Sequence, residues 1–375
     1  MSFGLSHNII AGRAASTAMP SLPPQSDRYQ RQSLLQQIGP AGQQRLGDSR
    51  VLLVGCGALG CAIADQLARA GVGFLRIVDR DIVELSNLHR QILFDEEDAR
   101  QSLPKAVAAA NRLRRINSSI VVEEKVVDLH PANVEDLAGV SRSAARDPQA
   151  AIHLILDGTD NVETRYLLND VSAKHGIPWV YGGCVGTEGL AMLVRPGGPC
   201  LRCVFPSPPT AGDLPTCDTV GVLGPAATVI GAVQSAVAIR WLVQHDSPEQ
   251  LLTLDLWAGH WHSLPLARAR RPDCLCCAQR RFEYLDSPVA AGATVLCGRD
   301  AVQVRSAVDA RIDLAALAQR LCSVGEVSHT PYFVRCAPRD PAGFSLTIFA
   351  DGRTLVHGTS DPARARSLAA RFVGV

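Results

Sequence analysis

The sequence predicts an α/β fold: a Rossmann-like nucleotide-binding domain with a mixed sheet and a four-cysteine zinc site, followed by a small C-terminal α+β module. Three observations predict it. An apolar run, Val51-Leu52-Leu53-Val54, leads directly into the glycine-rich loop Gly55-Cys56-Gly57-Ala58-Leu59-Gly60. Such a run suits a parallel strand buried on both faces, and the glycines let backbone approach phosphate at a helix N-terminus. Strand-like and helix-like segments then alternate, as in βαβ units. Two Cys-x-x-Cys pairs, Cys200/Cys203 and Cys274/Cys277, each follow Gly/Pro-rich turn sequence. Four thiolates so placed can close a tetrahedral Zn²⁺ with no open position, a structural staple. The other use of Cys-x-x-Cys is redox, but neither pair opens a thioredoxin-like βαβ unit. Cys276 leaves open which thiols of the second pair coordinate.

Taken in order, residues 1–26 are Ser/Ala/Pro-rich, lack an apolar signal-peptide core and read as a disordered tail. Residues 27–44 read as a short helix carrying Arg28, Tyr29 and Arg31 near its start. After the glycine loop, a helix with Ile63, Leu67 and Ala70 on its apolar side ends at Gly71. The second strand, 74–78, closes on Asp79, placed to accept hydrogen bonds from ribose hydroxyls. Further strands are expected over 120–127, 151–156, 179–182 and 190–194, and helices over 105–116, 163–175 and 226–245. The sheet should begin parallel and finish antiparallel near the zinc site. The apolar stretch 226–243 is interrupted by Gln234, Ser235 and Arg240 and reads as a buried helix, not a membrane span.

Beyond Arg281 the texture changes. Residues 295–375 read as strand, helix (314–321), strand, a hairpin turning at Asp351-Gly352 with a type I′ signal, and a final helix (362–372). No nucleophile–base pair or metal spacing is evident there, so the module reads as a docking or oligomerisation element. The expected units are therefore 27–285 and 286–375.

Composition narrows the function. With 375 residues and 47% hydrophobic content, the chain can form two domains with ample core. A formal net charge of +1 gives no electrostatic reason for nucleic acid as a partner. Twelve cysteines are too sparse for a disulfide scaffold, and four are assigned to metal. A reducing, cytoplasmic compartment with no membrane partner is expected.

The run Asp79-Arg80-Asp81-Ile82-Val83-Glu84-Leu85-Ser86-Asn87-Leu88-His89-Arg90-Gln91 places polar groups where a dehydrogenase needs an adenine pocket. Lys105 follows, and Asp157-Gly158-Thr159-Asp160-Asn161 closes a later strand, with Arg165 one turn on. Cations for phosphates and a carboxylate for Mg²⁺ suit a triphosphate. An NAD-dependent oxidoreductase is the remote alternative.

Over residues 27–280 the chain resembles the ThiF/MoeB family of adenylyltransferases, bacterial relatives of ubiquitin-activating enzymes. The signatures are Arg28-Tyr29-Gln30-Arg31-Gln32, the glycine loop, Asp79 with the Leu85–Gln91 segment, Lys105, Asp157 to Asn161, both cysteine pairs, and Cys217 before Gly221-Val222-Leu223-Gly224-Pro225. The resemblance implies ATP, Mg²⁺ and Zn²⁺. It implies nucleotide contacts from Gly55, Gly57, Ala58, Leu59, Gly60, Asp79, Asp81, Asn87, Arg90, Gln91, Lys105, Asp160 and Asn161. Within that set Asp79 would hold the ribose, Asn87, Arg90 and Lys105 the phosphates, and Asp160 the Mg²⁺. Arg31 would reach across a homodimer to the partner's γ-phosphate, which makes Arg31, Arg90, Lys105, Asp160 and Cys217 the catalytic set. Cys217 resembles a mobile-loop cysteine of sulfur transfer or thioester chemistry; a purely structural role is the alternative. Cys184 and Cys56 read as small core residues.

The implied reaction is adenylylation of the C-terminal glycine carboxylate of a small ubiquitin-like (β-grasp) sulfur carrier ending Gly-Gly. Activation of a ubiquitin-like modifier for conjugation, or adenylylation of a peptide C-terminus, are alternatives within the same chemistry. No rhodanese-type module is evident, so a separate persulfide donor is implied. One departure stands out: the family often has glycine two or three residues before the lysine, where this chain reads Gln101-Ser102-Leu103-Pro104.

Overall fold

The computed structural model describes residues 28–141, 151–209, 217–288, 292–296, 300–305 and 312–374. The tail expected over 1–26 lies outside the described residues. The first sheet has eight strands in the order β3-β2-β1-β4-β5-β6-β7-β8. These are β1 (Arg50–Val54), β2 (Phe74–Val78), β3 (Val121–Lys125), β4 (Leu154–Asp157), β5 (Trp179–Val185), β6 (Glu188–Val194), β7 (Gln250–Asp255) and β8 (His260–Pro265). Neighbours from β3 to β5 pair in parallel, and those from β5 to β8 antiparallel. Strand order reverses between β1 and β4, where open α/β sheets bind ligands beyond the carboxyl ends of their strands. All four residues of β4 and residues 51–54 of β1 are buried, which accounts for their unbroken apolar runs.

The single helix expected over 27–44 is instead two, Gln30–Ser33 and Gly39–Asp48. Gly39 takes φ +59° and Pro40 follows it. Proline lacks an N–H and suits a first turn, so a new helix starts there.

The helix Gly224–Gln244 is long and apolar enough to cross a membrane by length and composition. Here it packs inside the domain, against the helix Ala58–Ala70 and strands β5 and β6. At Gly231 a Cβ would stand 2.7 Å from that of Ala62, so glycine permits the close approach. Ala226, Ala227, Ile230, Ala238 and Leu242 join the same core as Val51, Leu53, Leu59 and Ile63.

The second sheet, order β11-β12-β13-β14-β10-β9, is antiparallel throughout. It contains β9 (Gly292–Leu296), β10 (Ala301–Arg305), β11 (Gly325–His329), β12 (Phe333–Pro338), β13 (Ser345–Phe349) and β14 (Thr354–His357), more strands than expected. The polar, mostly exposed Gly325–His329 segment shows why β11 is hard to read from sequence. One face carries Val302, Val304, Val334, Cys336, Leu346, Ile348 and Val356 against the helices Leu314–Leu321 and Pro362–Phe372. The turn at Asp351-Gly352 joins β13 to β14 but is not type I′. Only Gly352 has positive φ (+82°), and its N–H donates to the Phe349 carbonyl at 3.1 Å. The Phe349 N–H donates in turn to the Arg353 carbonyl at 2.9 Å, so this is a three-residue loop with a glycine bulge. Asp351 Oδ1 accepts the Arg353 N–H at 3.1 Å, which favours that geometry.

Candidate active site and metal centre

Three glycines shape the loop after β1. Gly55 has φ +84°, and its carbonyl oxygen would stand 2.0 Å from a Cβ on Gly60 and 2.4 Å from one on Gly158. Larger residues would push the loop away from the end of β4. Gly57 caps the helix Ala58–Ala70, with Ala58, Leu59 and Gly60 forming its first turn. Gln91 is buried beside this loop, and its Oε1 has no hydrogen-bond partner among the described residues. An orphaned buried oxygen next to a glycine loop fits a donor group of a bound nucleotide.

Asp79 lies at the end of β2, 9% exposed. Its Oδ2 accepts the Cys56 N–H at 2.6 Å and its Oδ1 the Asp81 N–H at 2.7 Å, so it fastens the glycine loop to its own strand end. Burial raises its pKa, and the Lys105 charge opposes the rise. Lys105 is buried with its Nζ 3.0 Å from Asp81 Oδ2. Ser102, in the stretch where the family often has glycine, takes φ +49°. Here the serine itself takes the left-handed turn conformation, and Lys105 reaches Asp81. Asn87 is buried and its Oδ1 accepts the Glu84 N–H at 3.1 Å, closing a 3₁₀ turn over Leu85–Asn87. Arg90 is half-buried and donates to the Ser86 carbonyl at 2.9 Å, beside the start of the helix Gly224–Gln244.

At the end of β4 the carboxylates divide. Asp157 is fully buried, pairs with Arg165 Nε at 3.2 Å and accepts from the Thr159 hydroxyl at 2.7 Å. Burial raises its pKa against the pull of Arg165. Arg165 also donates to the Thr159 carbonyl at 2.8 Å, so it holds the strand end and does not point a free cation at phosphate. Asn161 caps the helix Val162–His175, its Oδ1 accepting the Thr164 N–H at 2.9 Å. Asp160 is exposed and accepts no hydrogen bond among the described residues, which fits a carboxylate available to Mg²⁺.

Arg31 stands elsewhere. Its helix is tied to the far ends of the helices Ala58–Ala70 and Lys105–Ile116, through Gln32 to the Ala70 carbonyl (2.9 Å), Arg28 to the Ile116 carbonyl (2.9 Å) and Asn117 to the Tyr29 hydroxyl (2.8 Å). The helix Ala58–Ala70 is about 20 Å long, so Arg31 is at the opposite end of the domain from its own glycine loop. Cys217 begins a one-turn helix, Cys217–Val220, where the sequence suggested loop. Its side chain and residues 213–216 lie outside the described set.

The two cysteine pairs converge. Sγ–Sγ separations are 3.9 Å for Cys200–Cys203, 3.6 Å for Cys200–Cys274 and 3.5 Å for Cys203–Cys277. All four sulfurs lie within 4.8 Å of one another. Tetrahedral thiolates around zinc sit about 3.8 Å apart, so the cage has the right size. The Cys200 hydrogen bond and burial push Cys203 up to about 12, and burial and Cys203 push Cys277 up to about 11. A cation would relieve that crowding. Cys276 is not among these four sulfurs and accepts from Asn169 Nδ2 at 3.2 Å, which leaves Cys274 and Cys277 as the second pair.

A sequence model of the ThiF family matches residues 29–276. The chain belongs to the ThiF family. It is 41% identical over 349 residues to the sulfur carrier protein ThiS adenylyltransferase of Bacillus subtilis, covering 92% of this chain and 99% of that one. It is 37% identical over 264 residues to the SAMP-activating enzyme E1 of Haloferax volcanii, covering 70% and 92%. E. coli MccB, solved with AMPCPP and selenomethionine MccA, shares the fold with a TM-score of 0.56 at 21% identity, covering 68% of this chain and 75% of that one.

Beyond the ThiF-family signatures, the structure adds residues that sequence reasoning missed. Asn169 clamps both cysteine turns, its Oδ1 accepting the Leu201 N–H at 2.8 Å while its amide reaches Cys276. Gln234 donates to the Asp157 carbonyl at 2.8 Å from the long core helix. A polar Asn169-Asp170 step inside an otherwise apolar helix face was the available signal for the first. Gln234 had been noted only as an interruption of an apolar stretch.

Proposed function

We propose that this ThiF-family chain uses ATP to adenylylate the C-terminal glycine carboxylate of a small β-grasp sulfur-carrier protein. The observation that carries the reading is the match to a ThiS adenylyltransferase along nearly the full length of both chains, including the C-terminal unit. In this reading residues 27–285 form the adenylation domain and 286–375 an accessory domain. Cys56, Cys61, Cys184 and Cys336 form no disulfide among the described residues, which suits a reducing cytoplasm.

A carboxylate oxygen of the carrier forms a bond to the α-phosphorus, and the bond from that phosphorus to the bridging oxygen breaks, releasing pyrophosphate with its electron pair. The chain's part is positioning and charge neutralisation. The glycine loop presents N–H groups to phosphate, Asp79 holds ribose, and Lys105, kept in place by Asp81, faces the phosphates with Asn87 and Arg90. Asp160 would hold Mg²⁺, which would supply positive charge to offset that of the phosphates. The test is ATP–pyrophosphate exchange: a carrier ending Gly-Gly should support it, and one lacking the last glycine should not. Cys217→Ser should retain exchange but slow formation of a carrier–enzyme adduct and of the carrier thiocarboxylate, whose sulfur a separate persulfide donor supplies. Thiocarboxylate at the wild-type rate would remove Cys217 from the chemistry.

A second reading, modifier activation, is favoured by the SAMP-activating relative. A phosphine reductant separates the two, since without a thiol nucleophile it cleaves an acyl disulfide and leaves a thioester.

The distance of Arg31 from its own loop supports its use in a partner's site within a homodimer. Mixing inactive Arg31→Ala and Asp160→Ala chains should then restore part of the activity, because the hybrid holds one site free of both lesions. No recovery despite proven subunit exchange would mean that Arg31 acts within its own chain or not at all.

A further inference from the structure

The second sheet turns one face to its helices, and the other face meets the nucleotide domain. From that other face Phe333, Phe349 and Leu355 enclose Ile82, which follows Asp81 in the loop after β2. At the same contact, Asp128 accepts from Arg80 Nη1 at 3.1 Å, Gln303 Nε2 at 3.1 Å and Arg305 Nη2 at 2.5 Å. Arg353, between β13 and β14, is 1% exposed and stacks on Phe349 with its guanidinium carbon 3.7 Å from the ring centre. Its Nη2 donates to the main-chain carbonyl of Arg80 at 2.7 Å. Arg80 is the one residue between Asp79 and Asp81. The two carboxylates that anchor the glycine loop and Lys105 are thus held from behind by the accessory unit.

We propose that the C-terminal module braces the nucleotide site, with Arg353 as a positioning residue that sets the main chain between Asp79 and Asp81. This rests on the reading of that site as an ATP site. Burying a guanidinium is costly; its Nε stands 3.7 Å from Asp351 Oδ2, beyond hydrogen-bond reach, and Nε and Nη1 have no hydrogen-bond partner among the described residues. The contact made with its remaining nitrogen is to the nucleotide loop. Relatives differ in this unit: 264 residues of this chain span 92% of the archaeal relative, too few for both sheets, whereas the Bacillus relative matches over 349. A module dispensable in one branch, yet docked on the ribose-side loop here, is suited to tuning nucleotide affinity and is not needed for the bond-making step.

The experiment uses the full chain and measures ATP binding directly, without carrier, beside pyrophosphate exchange. Arg353→Met keeps the aliphatic bulk and removes the donor; Asp128→Asn keeps the shape and loosens Arg80, Gln303 and Arg305. Kd and KM for ATP should rise about ten-fold in Arg353→Met while kcat stays within about two-fold, as expected for one lost charge-assisted hydrogen bond to a binding loop. Asp128→Asn should shift the same constants in the same direction by less, and Arg353→Lys should recover part of the affinity. Zinc content and the KM for carrier should not move. Variants that melt cooperatively, hold their zinc and bind ATP at the wild-type Kd would overturn the brace. If Arg353→Met does not fold, Asp128→Asn decides by the same readout. A wild-type chain that binds no ATP would instead defeat the adenylyltransferase reading, and the brace with it.

Discussion

Replacing Asp160 with alanine should abolish Mg²⁺-dependent ATP–pyrophosphate exchange, by about a hundred-fold or more, with the fold and zinc content intact. The reason lies in the contrast with Asp157, three residues earlier at the same strand end. Asp160 is exposed and accepts no hydrogen bond among the described residues, so in the proposed site its loss would remove a Mg²⁺ ligand and no packing. Asp157 is fully buried against Arg165 and Thr159. Asp157→Ala would strand that arginine and should cost about 3–5 kcal/mol of stability. One substitution should therefore silence a folded protein and its neighbour should unfold it. Exchange kinetics and thermal melting, run on both variants, check the pair. Wild-type exchange in Asp160→Ala would remove Asp160 from metal binding.

Cys203→Ser or Cys274→Ser should have the largest effect on stability. Each thiol links segments some seventy positions apart: Cys203 faces Cys277, and Cys200 faces Cys274. Loss of one ligand opens a closed tetrahedral site, and losing a structural metal costs on the order of 4 kcal/mol or more. Zinc should fall from about one ion per chain in the wild type to well below that. The same variants should leave catalysis unaltered in whatever fraction stays folded, since no cysteine of the cage lies in the nucleotide site. Cys276→Ser is the control. Its sulfur bonds Asn169 and stands outside the cage, so zinc should be retained. A wild-type chain free of zinc, with unchanged melting in Cys203→Ser, would refute the staple.

Much of the nucleotide site was legible because its determinants are local. The glycine loop must follow its strand directly, Asp79 must close the next one, and a Cys-x-x-Cys turn is set by its own spacing. Ser102 shows the limit of motif reading: glycine is missing from the stretch before the lysine, yet a serine at φ +49° makes the turn. Asn161 and Arg165 show it again. Each sits beside the strand-end carboxylates, but the first caps a helix and the second neutralises a buried aspartate.

By itself, the sequence determined the α/β class, the glycine loop with Asp79 and Lys105, the two cysteine turns and the family resemblance, since short-range spacing and periodicity encode all of these. The place of Cys276 outside the thiolate set needed the structure. Tertiary structure alone decided which charges are free, where Arg31 stands relative to its own loop, and what the C-terminal unit touches. Those depend on contacts between distant positions; Arg353 and the Arg80 carbonyl are 273 residues apart and meet at 2.7 Å. No local pattern records such a pairing, because the hydrogen bond exists only once two separately folded sheets have docked.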